Sequence, residues 1–133
     1  ATALADAALA AAPLPNHTRW GYHASIRFFC EDDAGALEAA RIAGDTHATN
    51  GAWRAAALAH LGRADEARAE AEALVRHLSA RWAGPEAATP RSVARWVLQM
   101  FPYRREQEWR RLRDGLRGAG LSAAHAPFRD IGP

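Results

Sequence analysis

Apolar side chains recur along this chain at helical intervals and rarely alternate. The clearest run lies in the middle, where Ala67, Ala71, Leu74 and Leu78 follow at spacings of four, three and four, and Arg68, Glu72 and Arg76 form a separate charged row. A helix with one face against a core separates the two sets in this way. Read from end to end, the pattern predicts seven helices. The first runs to about Ala12 and stops at Pro13 and Pro15, because proline lacks the amide a continuing helix needs. The second spans Asn16, a candidate cap, to Phe29. The acidic cluster Glu31, Asp32 and Asp33 suits the exposed amides at the start of a third helix, which ends near Gly44. A fourth occupies His47 to Leu61 and is closed by Gly62, and Asp65 is the expected cap of the fifth. The segment WAGPEAATP breaks the pattern, with Thr89 and Pro90 in the order of a cap and a first helical residue. Val93, Trp96, Val97 and Met100 mark the sixth helix, stopped by Pro102. Trp109, Leu112 and Leu116 stripe the seventh, which ends at Gly118 or Gly120.

Links this short force neighbouring helices to lie antiparallel. An internal repeat orders them further. CEDDAGALEAARIA aligns on LGRADEARAEAEAL with Cys30 over Leu61, so that Asp33 meets Ala64, Ala36 meets Ala67, Ala40 meets Ala71 and Ala43 meets Leu74. Ala1, Ala5, Ala8 and Pro13 carry the same spacing upstream. Small residues at these places let two helix backbones approach closely. The alanine-rich opening reads as a helix already under way, so the chain is expected to be a piece of a longer protein.

Composition supports helices and removes other readings. Much of the apolar content is alanine, a strong helix former. All 17 basic residues are arginine, which fits a GC-rich bacterial genome. One cysteine, Cys30, excludes an internal disulfide and a cysteine-based zinc site. No apolar stretch is long enough to span a bilayer, and the expected compartment is the cytoplasm. Charge is uneven: residues 1–88 hold 8 arginines and 11 acids, whereas residues 91–117 hold 8 arginines and 3 acids. A basic C-terminal helix pair could meet nucleic acid, an acidic protein or a phosphate. The preferred reading is a solvated stripe of Arg110, Arg113 and Arg117 opposite Trp109, Leu112 and Leu116, with no nucleic-acid footprint.

The segment Ala55 to Leu74, with Leu58, Leu61, Gly62, Glu66, Ala67 and Ala71 at matching places, resembles the middle of a tetratricopeptide repeat, and Trp20 falls near that repeat's first-helix tryptophan. The repeat length of 31 rather than 34 and Arg54 at a usually apolar position depart from the family. A second resemblance covers the C-terminal half, where Asp114, Gly115, Leu116, Arg117, Ala119, Gly120 and Leu121 look like the closing helix of bacterial proteins that join an effector domain to repeats, among them class III adenylate or guanylate cyclases and winged-helix regulators. Together these imply an all-α fold of antiparallel helix pairs stacked as a short tetratricopeptide-like superhelix of about seven helices. It would form one domain over 1–133: repeats over 1–88, a helix pair over 89–121 and a tail over 122–133.

The resemblance also implies a partner groove lined by Ser25, Phe28, Ala56 and His60 and continued by Arg95 and Gln99; packing is the competing role for these side chains. The six histidines, His17, His23, His47, His60, His77 and His125, form no H-E-x-x-H or other ligand spacing, and no nucleophile elbow, P-loop or dinucleotide-binding glycine pattern is present. The expectation is therefore a non-catalytic protein-interaction or regulatory module with no cofactor and no metal. Its partner would be a protein or peptide, including an upstream domain of the same protein. Two alternatives are a self-associating homodimer and a sensor of a small anionic ligand using Arg91 and Arg95.

Overall fold

The computed structural model describes residues 2–11, 17–83 and 85–122, the side chains at 5, 8–11, 17 and 18 excepted. Pro13, Pro15, Asn16, His125 and the tail beyond Ser122 lie outside them, as do the side chains of Ala5, Ala8 and His17. The described residues form seven α-helices and no strand: α1 (Thr2–Ala11), α2 (His17–Phe29), α3 (Asp33–Ala43), α4 (Asn50–His60), α5 (Ala64–Ser79), α6 (Pro90–Met100) and α7 (Glu106–Gly118). Helices α2 and α3 make one antiparallel pair, α4 and α5 a second, and α3 packs on α4 to stack the pairs.

The 31-residue repeat is visible in the backbone. Helices α3 and α5 begin at the equivalent residues Asp33 and Ala64. Before each, the chain turns through one left-handed residue, Glu31 at φ 64° and Gly62 at φ 77°. The amide of Asp32 then donates to the Arg27 carbonyl and that of Arg63 to the Leu58 carbonyl, both at 2.9 Å. These bonds, with Glu31 on Phe28 and Gly62 on Ala59, satisfy the last carbonyls of α2 and α4 in the same manner. Helix α7 ends likewise, with Gly120 at φ 93° and the Leu121 amide on the Leu116 carbonyl.

Small residues make the pair contacts close. Ala36, Ala40, Ala52, Ala55, Ala56, Ala67 and Ala71 are buried, and Phe28, Trp53, Leu58, Leu98, Leu112 and Leu116 supply the bulk between them. Arg54 has a structural task. It reaches the Gly44 carbonyl at 3.1 Å, Asp45 at 2.9 Å and Glu70 at 2.9 Å, so one guanidinium closes the C-terminus of α3 and ties it to α5.

Capping departs from expectation in two places. Asp65 lies inside the first turn of α5, where its charge meets the dipole, and the cap position belongs to Arg63, whose side chain bonds Glu66 and caps no amide. Helix α4 begins at Asn50 rather than His47, because Asn50 turns its amide group to the Gly44 carbonyl at 3.0 Å and fills the corner between α3 and α4. Thr89 and Ser92 do form a reciprocal box at the start of α6. Phe101 leaves α6 in an extended conformation, φ −92° and ψ 140°, as the residue before Pro102 must. Phe101 then lies on Trp53 with ring centroids 4.5 Å apart, and Tyr103 meets Phe29 at 6.0 Å. The link between α6 and α7 is thereby fixed to the face of α2 and α4, and α7 crosses onto α4.

Candidate partner-binding surfaces

Three of the residues expected to line a groove come together, and helix α7 lies on them. Phe28 is fully buried, its ring 5.6 Å from those of Trp53 and His60. Arg111 of α7 places its guanidinium 4.4 Å above the Phe28 ring, donates to the Phe28 carbonyl at 2.8 Å and holds both oxygens of Asp33 at 2.7 and 2.9 Å. His60 Nε2 stands 3.0 Å from the Arg111 carbonyl, which only accepts, so this nitrogen carries the proton. Ala56 is buried beneath Gly115, where a Cβ would come within 2.8 Å of the Ala56 Cβ. Ser25 is half-buried and bonds its own helix through the Tyr22 carbonyl at 2.7 Å. Arg95 and Gln99 belong elsewhere. Both lie on α6, Arg95 pairing with Glu86 and Gln99 facing solvent, and no described contact joins them to Phe28, Ala56 or His60.

The part played by Arg111 was hidden in the sequence. It adjoins Leu112 on the edge of the apolar stripe, and that flanking position is the one signal that it packs rather than solvates. Arg110 and Arg117 are exposed as expected, Arg110 pairing with Glu106 at 3.2 Å. Arg113 folds over Trp109, 5.0 Å from the ring, and pairs with Asp114. The basic excess of this region is thus broken up by local ion pairs.

A concavity lies beside α5. Arg68, Ala71, Glu72, Val75 and Arg76 of α5, Pro90 at the start of α6 and Ala119 to Leu121 at the end of α7 line an open depression of about 380 Å³ whose surface is mostly apolar. Arg68 and Arg76 are exposed and make no ion pair with a described residue, although Glu72 lies one turn from each. Eight residues of helix set them about 12 Å apart along the axis. The groove therefore sets apolar side chains beside Arg68 and Arg76, with Glu72 between them on the helix.

Among the described residues no group of three or more histidine, cysteine, aspartate or glutamate side chains is arranged to hold a metal ion. Cys30 is exposed. No described helix is long and apolar enough to cross a membrane. Comparison of the chain with family models, with curated proteins and with solved structures finds no match.

Proposed function

We propose that this chain is a non-catalytic, tetratricopeptide-like interaction module of a larger bacterial signalling protein, and that it holds a protein segment in the groove between α5, the start of α6 and the end of α7. The observation that carries the reading is the concavity lined by Ala71, Val75, Pro90 and Leu121 together with Arg68 and Arg76, which make no ion pair with a described residue. Apolar floors with a few placed charges suit a peptide whose side chains anchor and whose carboxylates orient. The face built on Phe28 and Ala56 already holds a helix, the chain's own α7, so the partner is assigned to the groove beside α5.

Hydrogen exchange tests this directly. The complete protein that contains this sequence is compared with the 133-residue chain alone. The expected result is added protection at residues 68–76 and 119–121 in the complete protein, reversed by Arg68→Glu together with Arg76→Glu. Protection that is identical in both proteins, or gained only at other helices, would overturn the assignment of the groove.

A further inference from the structure

His23 is only 3% exposed and stands where three elements meet. The charged groups acting on its ring are Asp6 of α1, Arg27 of its own helix and Asp32 at the cap of α3. Arg27 joins them. Its Nε donates to His23 Nε2, its Nη1 to Asp32 at 2.6 Å and its Nη2 to Asp6 at 2.5 Å. One guanidinium therefore bridges α1 to the start of α3, and the lone pair of the histidine is its third acceptor. That role fixes the tautomer, with the proton on Nδ1. Nδ1 is buried and meets no hydrogen-bond partner among the described residues.

We propose that His23 is an acid-sensitive latch for α1: the neutral ring lets Arg27 join α1 to α3, and the protonated ring undoes that join. Protonation puts a hydrogen on Nε2, so that two donors of like charge face each other where a donor and an acceptor stood. The ring is enclosed and Arg27 is partly open to solvent, so the guanidinium is the group that gives way. Asp6 Oδ1 lies 3.2 Å from Nε2 and would accept from the imidazolium, yet that oxygen is the one Arg27 uses. The two cations compete for it, and α1 is no longer bridged to α3. Burial first, and the Arg27 charge second, hold the ring's proton affinity below its ordinary value of 6.5, against the opposite pull of Asp6 and Asp32. The latch is thus closed above 6.5 and opens as pH falls through a lower value.

The test follows α1 and the ring together. Amide exchange of the whole chain is measured from about pH 7.5 to about pH 5 and corrected for intrinsic rates, while NMR follows the His23 ring. The expected result is a loss of protection in Thr2–Ala11 of about fivefold or more that tracks the ring's titration, with α5 unchanged. His23→Gln, whose side-chain oxygen accepts from Arg27 and does not titrate, is expected to remove the pH dependence. A ring that titrates with α1 unaltered, an equal loss in every helix, or the same loss in H23Q would overturn the proposal. Should H23Q fail to fold, the paired measurement on the wild-type chain decides alone.

Discussion

Glu31 and Gly62 occupy equivalent turns of the repeat, yet one carries a side chain at φ 64° and the other does not. A residue other than glycine in the left-handed region costs roughly 1–2 kcal/mol. Glycine returns roughly 0.5–1 kcal/mol of that through its freedom in the unfolded chain. The difference favours Glu31→Gly by about 0.5 kcal/mol, because the Glu31 side chain is exposed and makes no ion pair with a described residue. Urea unfolding of the two proteins measures it, and a midpoint that falls would show that the side chain does more than solvate. At the same scale, Tyr103 buries a hydroxyl with no hydrogen-bond partner among the described residues, and that burial pushes its proton affinity up. Its value lies in the ring, which closes the aromatic group around Trp53, Phe29 and Phe101.

At the level of elements, the contact of α4 with α7 decides the architecture, and two glycines report on it. A Cβ at Gly115 would lie 2.8 Å from the Ala56 Cβ and 3.0 Å from its Cα, so the helices would have to part. Gly118 meets only the Ala59 Cβ, at 3.1 Å, near the open end of the helix. Gly115→Ala is therefore expected to cost about 2 kcal/mol, whereas Gly118→Ala should change stability by less than about 1 kcal/mol, since alanine's helix propensity offsets the contact. Equal effects in thermal or urea unfolding would mean that the seam is looser than these distances imply. The helices themselves were legible in the sequence because local signals set them: Pro102 and its effect on Phe101, the Thr89–Ser92 box and the alanine periodicity of α3 and α5. The seat of α7 was not legible. Phe28, Ala56 and His60 meet under α7, and nothing local in the sequence says that Arg111, a residue beside the stripe, lays that helix across them. Arg95 and Gln99 lie on α6, and no described contact joins them to that face.

Across the whole molecule, acid should act in two stages. The amide of Gly35 first, and Arg27 after it, hold the Asp32 carboxyl below the usual 3.8; Arg54 does the same for Asp45. Folded carboxylates that release protons more readily than unfolded ones add stability that is present above 3.8 and lost as pH falls through their lower values. His23, also depressed, loses its contribution on the acid side of 6.5. Urea unfolding across a pH series should therefore show a first decline below 6.5 that H23Q abolishes and a second below 3.8 that Asp32→Asn reduces. A single decline at 3.8, with none before it, would remove His23 from the account. The attachment of α7 bears on how the chain comes to its structure. Arg111 grips residues 78 and 83 positions earlier in the sequence, while the pairs α2 with α3 and α4 with α5 are neighbours. Closing so long a loop is slow compared with pairing adjacent helices. During synthesis the two pairs can assemble as soon as they emerge, but the α7 side of Phe28 and Ala56 stays uncovered until α7 leaves the ribosome. That interval, set by the order of the parts, leaves apolar surface open to aggregation.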